Sequence, residues 1–595
     1  MNIPFDNCKE DKMLQSNYDK HPYVEISGFD KKAFSGYEDI ISEIKENIRN
    51  KGLGKTVLTV ECYPGVKQEE VLTAFTEGLK PAFIIHADYC SFDGERITQM
   101  IQRELTDDRV FGVFSCRVME EFFDGGLVKK AKESIEEADQ GIVLVYGTGA
   151  SLIHKGDILV YADLARWEIQ LRYRRKELAN WKMDNYEEEQ LRKYKRAFFV
   201  EWRVADRLKK KLYSQMDYLL DTNVYNKPKM ITKEAFDAGL KETANRPFRV
   251  VPYFDPGVWG GQWMKEVCGL DKEAENFAWC FDGVPEENSL CLKYGDIYVE
   301  VPSIDVVFFY PHQLLGEKVH ARFGTEFPIR FDFLDTMEGQ NLSLQVHPLT
   351  EYVQETFGIH YTQDESYYLL DAKPGAMVYL GVKNGIDKEE MIKDLYAAQA
   401  GKKIFPDEKY INQFPAKKHD HFLIPAGTIH CSGINVMVLE ISATPYIFTF
   451  KLWDWNRLGL DGKPRPVHIE HGEKVIQWDR DTDWVLENLV DQVELVKEED
   501  GCLEERTGLH EREFIETRRH WFNKKVFHNT NNGVNVLNLV EGREAIVESP
   551  SGKFKPFIVH YAETFIIPAA VGEYTIAPYG ESEGKKITTM KAYVR

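Results

Sequence analysis

The sequence predicts a multidomain chain, with an N-terminal α/β domain on a parallel sheet followed by two β-barrel halves that carry helical insertions. Three observations lead there. At 595 residues the chain exceeds what one hydrophobic core organises, so roughly two to four domains are expected. In the first third, short apolar runs alternate with helical segments, the pattern of a parallel sheet with crossover helices. In the second half, residues alternate polar and apolar with the period of half-buried strands, and Trp521 to Arg595 breaks into short β-branched and aromatic runs separated by turns such as Asn531-Asn532-Gly533.

In the N-terminal third, Thr56 to Cys62, Ala82 to Ile85 and Gly141 to Tyr146 read as strands, and Gln68 to Leu79 reads as a helix. With Asp157 to Asp163 and the basic Arg166 to Arg175 segment, this order resembles the P-loop nucleoside and sugar kinases, in which those two pieces are a strand and a lid. A working phosphate loop places Gly-x-x-x-x-Gly-Lys-Ser/Thr between the first strand and its helix. Here that connection is Glu61-Cys62-Tyr63-Pro64-Gly65-Val66-Lys67-Gln68, and Gly54-Lys55-Thr56 precedes the strand instead. A degenerate kinase-like domain over residues 1–225, without kinase activity, is expected. Gly147-Thr148-Gly149-Ala150-Ser151 is either an anion-binding turn or a plain tight turn.

Tyr186 to Arg196 is charge-dense and reads as helical, and Tyr194 to Trp202 leads into a further strand. Arg207-Leu208-Lys209-Lys210-Lys211 reads as a solvated helix face. Polar residues and Pro228 suggest a linker over residues 226–245.

The richest chemistry lies further on. In Asn341 to His347 the period of two puts Gln345 and His347 on one strand face. Glu365 opens the strand-like Ser366-Tyr367-Tyr368-Leu369-Leu370, and His430 follows a Pro-Ala-Gly turn just before the run Ile434 to Ile441. Two imidazole nitrogens, a carboxylate and an amide oxygen brought together inside a small barrel would make a mixed N/O site for a divalent metal such as zinc. His312, His320, His360, His419 and His421 read as solvated or core histidines, and His468 and His471 as residues at a helix start.

Leu342 to Pro348, Glu365 to Tyr368 and Pro425 to His430 resemble the three metal-site blocks of the type I phosphomannose isomerases. Val258 to Gly261, Leu314 to Gly316, Phe327-Pro328, Trp453 to Arg457 and Gly462 to Arg465 follow in that family's order. The resemblance covers about residues 250 to 595. It implies a twin cupin, with a metal-binding cupin and helical insertion over residues 246–475, then a helical connection and a second, metal-free cupin over 476–595. It also implies one zinc ion per chain held by Gln345, His347, Glu365 and His430, with Lys451 and Arg457 as substrate-side cations. The implied reaction interconverts mannose 6-phosphate and fructose 6-phosphate through an enediol.

The departures from that pattern matter equally. Asp332 stands where the family carries a lysine, with Arg330 on the same strand face, and Lys451 stands where it carries an arginine. Lysine keeps the charge and loses the bidentate fork. Since a phosphate group needs cations around it, a sugar-binding sensor that retains the metal cage, or an isomerase of another sugar, is the alternative.

A net charge of -21, from 75 basic and 96 acidic residues, argues against nucleic acid or an anionic membrane as partner; the partner the resemblance implies is a small sugar or sugar phosphate. Nine scattered cysteines without Cys-x-x-Cys fit a reducing cytoplasm. Met1 to Lys20 lacks a signal peptide's apolar core.

Overall fold

A computed structural model of the chain describes residues 15–446, 448–460, 462, 465–508, 510–511 and 513–595. Met1 to Leu14, and Lys463 and Pro464 of the Gly462 to Arg465 block, lie outside the described residues. The architecture is mixed α/β, built on several sheets.

The N-terminal sheet has seven strands in the order Ala33–Ser35, Lys229–Thr232, Tyr218–Asp221, Ile158–Asp163, Lys55–Cys62, Gly141–Gly147 and Phe83–His86. The five from Tyr218–Asp221 onward are parallel. The three central ones, Ile158–Asp163, Lys55–Cys62 and Gly141–Gly147, are apolar and mostly buried, while the edge strand Phe83–His86 is half exposed.

Residues 226–245, expected as a linker, belong to this unit. Lys229–Thr232 pairs with strands on both sides, and Lys233–Thr243 is a helix whose Thr232 hydroxyl caps Ala235 N–H. Gly239 on that helix allows a close approach, since a Cβ there would lie 2.5 Å from Tyr294 Oη. Tyr294 in turn donates to Ala235 O at 2.8 Å.

Two further sheets face each other. One has six strands, His421–Ile424, Asp364–Ala372, Val436–Ala443, Arg330–Asp335, Trp279–Gly283 and Tyr253–Asp255; the other has five, Ile411–Pro415, Met377–Val382, His430–Ser432, Leu344–Val346 and Phe450–Trp453. A second pair, of six and four strands, is built mainly from residues after Glu494 and encloses its own apolar core around Leu537, Phe565 and Ile576. The helical connection expected at the start of residues 476–595 contains the short helix Thr482–Asn488 and is followed by the strand pair Glu494–Glu499 and Cys502–Arg506.

Three readings of the basic helical region change. The Phe198-Phe199-Val200 run is one turn of π-helix, Ala197–Glu201, rather than the approach to a strand. It is apolar throughout because it is enclosed on every side, and a short apolar run does not distinguish buried helix from buried strand. In Arg166–Arg174, Arg166 and Arg172 are buried, so this segment is no solvent-facing lid. Lys209, read as part of a solvated face, is 1% exposed. It forms ion pairs with Asp163 of the parallel sheet and Asp305 of the helix Ile304–Phe309.

Arg166 likewise pairs with Asp206 at 2.6 Å and with Glu286 from beyond the sheet, and Arg203 reaches Glu286 at 2.6 Å. These charges have left water, so each depends on its partner. No helix among the described residues is long and apolar enough to cross a membrane.

Lys209→Met leaves Asp163 and Asp305 buried without their cation, and is expected to cost about 3–5 kcal/mol. A urea midpoint for the full chain checks this; a loss below about 1 kcal/mol would mean the pairs are replaceable by packing.

Candidate metal centre

His347, Glu365 and His430 come from both facing sheets and meet in the interior, each fully buried. Gln345 and His430 are direct cross-strand partners, so their side chains share a face. Glu365 arrives from the opposite sheet. Its carboxylate oxygens lie 3.0 Å from His347 Nε2 and 2.9 Å from His430 Nε2.

The segments bearing these residues are tied together. Gly427 N–H donates to His347 O at 2.8 Å, and Ala426 N–H to Asp364 Oδ1 at 2.7 Å. Gly427 has φ +89°, and a Cβ there would sit 2.9 Å from Val475 O, so the turn before His430 requires glycine. Arg480 donates to Pro425 O and Ala426 O at 2.7 Å each, fixing the same turn from below.

The protonation pattern carries the chemical argument. His347 Nδ1 lies 2.9 Å from Phe448 O, and His430 Nδ1 lies 2.9 Å from Thr428 O. A carbonyl oxygen only accepts, so each Nδ1 carries its proton and a neutral ring has its lone pair on Nε2. Both lone pairs then point at an ionised carboxylate. Accordingly, His347 Nε2 and Glu365 Oε1 are buried without a hydrogen bond of acceptable geometry.

Burial opposes the Glu365 charge, and it is protonated His347 and His430 rings that hold its carboxyl well below the ordinary range; neutral rings with their lone pairs toward it cannot do so, and that state needs a cation in their place. Acceptors converging on acceptors need a cation between them, and a histidine whose other nitrogen is held by a carbonyl is the usual metal-ligating arrangement. The donor set fits a divalent metal. Gln345 completes it, with its amide nitrogen 3.2 Å from His430 Nε2; a half-turn of the amide presents the oxygen instead.

Around this cluster stand further polar groups, of which Glu440 is the one the sequence reading passed over. Gln363 Nε2 donates to Glu365 Oε2 at 2.9 Å. Asp332, Glu440 and Tyr367 form one cross-strand row beside the Glu365 row. Burial pushes the Asp332 carboxyl up to about 7, against the pull of Arg330, and pushes Glu440 up still more strongly with Asp332 and Glu365 adding to the effect. A lone acid inside the apolar run Val436–Ala443 was a readable signal for Glu440.

Lys451 lies opposite Gln345 on the same face, and its ammonium is pushed down to about 7 by burial and by Arg465, with Asp454 pulling back. Arg457 is placed otherwise. Its guanidinium is taken by Asp454 Oδ1 at 2.6 Å and Asn341 O at 2.6 Å, and Arg465 shares that carboxylate at 3.0 Å. Asp454 thus holds both arginines, and Arg457 braces the loop.

The remaining histidines divide. His312, Glu317 and His320 gather at the surface with ligand-type atoms within 4.8 Å of one another. His419 pairs with Glu541 at 3.3 Å and with the Tyr368 hydroxyl at 2.8 Å. His468 precedes the helix Ile469–Gly472 without a side-chain capping bond and is buried, 3.7 Å from Asp108 of the N-terminal region. In the N-terminal turn Gly147 to Ser151, the amides of Gly149 and Ser151 already donate to Glu61, at 2.6 and 2.8 Å, so a side chain occupies the place an anion would take.

Comparison with known proteins gives two regions. Residues 36–245 match a domain of unknown function, DUF8485. Elsewhere the chain is similar to proteins named mannose-6-phosphate isomerase: one from Streptococcus mutans is 27% identical over 221 residues, which is 37% of this chain and 64% of that protein. A second, from Bacillus subtilis, is 24% identical over 231 residues, 39% of this chain and 68% of that protein. The alignments thus span about two thirds of those relatives' length. A solved mannose 6-phosphate isomerase structure from Bacillus subtilis aligns at 19% identity and a TM-score of 0.47, over 59% of this chain and 100% of that one.

His421, 1% exposed with neither ring nitrogen hydrogen-bonded, has its imidazole pushed down to about 3 by burial and by Arg519. Between about pH 6.5 and 3 the unfolded chain therefore holds a proton that the folded chain refuses, so stability falls as pH drops through that window. His421→Leu is expected to flatten this slope, read from urea midpoints at pH 7 and 4.5; an unchanged slope would assign the acid sensitivity elsewhere.

Proposed function

We propose that the chain is a metal-dependent aldose–ketose isomerase that interconverts mannose 6-phosphate and fructose 6-phosphate through an enediol. The observation that carries this reading is the buried Glu365 carboxylate, set between two imidazoles whose Nε2 lone pairs face it. The similarity to proteins named mannose-6-phosphate isomerase supports the substrate class. On this reading Gln345, His347, Glu365 and His430 hold one zinc ion, the facing sheets around them are the first half of a twin cupin, and the C-terminal sheets are a metal-free second half. The N-terminal sheet is then a kinase-like scaffold without a phosphate loop, in a protein suited to a reducing cytoplasm.

A bound metal supplies Lewis-acid polarisation of the sugar's oxygens. The chain's own residues supply the rest. Lys451 faces the site from opposite Gln345, and an amine near half-protonation at neutral pH can take a proton from one sugar carbon and return it to its neighbour. Arg457 positions it, because Asp454 and Arg457 brace the turn that follows the Lys451 strand. Gln363 orients Glu365. One observation favours the sensor alternative, the carboxylate row Asp332–Glu440 where the resemblance leads one to expect a cation.

Purified chain with zinc is expected to convert mannose 6-phosphate to fructose 6-phosphate; absence of turnover with metal bound at one per chain would favour the sensor or another sugar. His347→Ala is expected to weaken metal binding at least about 100-fold and to lose activity with it, and full activity in metal-free variant protein would refute the site. Lys451→Met is expected to lower kcat about 100-fold or more while leaving metal content intact.

A further inference from the structure

The candidate metal centre is closed off. His347, Glu365 and His430 have no exposed surface, and Gln345 is 7% exposed. Strand register shows which end of the facing sheets would be the opening. Arg330, Ser442 and Glu365 form one cross-strand row at the ends of their strands, pointing to the same interior face. Chain-wise beyond that row lie Phe327, Tyr361, Thr444, Pro445 and Tyr446, which form the rim.

The N-terminal region covers this rim. Phe198 and Phe199 of the π-helical turn pack on Tyr446 with ring centroids 4.4 and 4.8 Å apart. Phe114 N–H donates to Phe357 O at 3.2 Å, and Arg203 stacks over Phe114 while bonding Glu286.

Between the cover and the rim, Phe114 and Arg203 from one side and Glu286, Glu326, Arg330 and Tyr361 from the other enclose a cavity of about 20 Å³. That is room for a water, which needs about 10–15 Å³. It is far below the roughly 300–1,000 Å³ of small-molecule sites. The Tyr361 hydroxyl in its wall is buried without a hydrogen-bond partner.

We infer that residues 36–245, the region that matches a domain of unknown function, act as the cap of the metal-bearing barrel, with Phe114 and Arg203 forming the moving wall that a ligand must pass and then contact. The assignment of the ligand as an anionic sugar rests on the isomerase reading; the cap itself rests on the burial and the register. Its chemistry suits that ligand class, because opening the wall frees the Arg203 guanidinium beside Arg330. Arg203 and Arg330 then flank the path to the site beside Glu286 and Glu326, two cations with two acids, in a chain that lacks a cation at Asp332.

The test uses the full chain, Phe114→Ala and Arg203→Gln, with urea midpoints to confirm folding. It reads amide hydrogen exchange in residues 440–446 by mass spectrometry, and kcat and KM with mannose 6-phosphate in the same preparations. Exchange is expected to rise about tenfold in both variants, as local opening becomes easier, with KM moving more than kcat. Exchange unchanged in both folded variants overturns the cap, and turnover in the unaltered chain beside that result leaves the isomerase reading in place. Faster exchange in the variants together with no turnover in any preparation supports the cap and removes mannose 6-phosphate as the substrate.

Discussion

The space between the two facing sheets is organised around a buried negative charge. Glu365 has no solvent to screen it, and its two nearest neighbours present nitrogens whose protons are committed elsewhere, to Phe448 O and Thr428 O. A buried carboxylate in that setting needs a cation or a protonated ring. Much of the nearby structure serves to hold those carbonyls still: the Gly427 turn, the Arg480 contacts beneath it, and the bond from Gly427 to the His347 main chain. The geometry of the His347, Glu365 and His430 cluster is therefore a property of backbone placement as much as of side-chain identity.

The same economy of buried charge joins the N-terminal region to the rest. Lys209, Arg166 and Arg203 cross from one part of the chain to the other, and each meets acidic partners from both sides or from beyond its own unit. Such pairs add little net stability over well-packed apolar residues but strongly disfavour any arrangement that separates them. Register between the two parts is thereby specified, and the aromatic contacts around Tyr446 fill the space that remains.

The candidate centre was largely legible in the sequence because each of its blocks is locally patterned and their ordered combination resembles a known family. Strand periodicity put Gln345 and His347 on one face, and the turn before His430 announces itself through Gly427. What escaped was decided at long range. Lys209 reads as surface lysine in a basic run, and only the arrival of Asp305 from elsewhere in the chain buries it. Phe198 to Val200 reads as strand or helix until the element covering it is known. Residues 226–245 look like a linker by composition, yet Lys229–Thr232 is a middle strand of its sheet. Arg457 carries the right charge for a substrate contact, but Asp454 claims it.

Glu61 bears on what the N-terminal sheet can bind. Its carboxylate sits on the amides of Gly149 and Ser151 and is carried by the strand beside them, so it competes with any free anion as an intramolecular ligand. An attached competitor acts at a high effective concentration and loses no translational freedom on binding. A dissolved phosphate would have to displace it and leave Glu61 buried beside a second negative charge. The turn is thus self-inhibited toward anions, and its glycines serve to close the turn on its own acid.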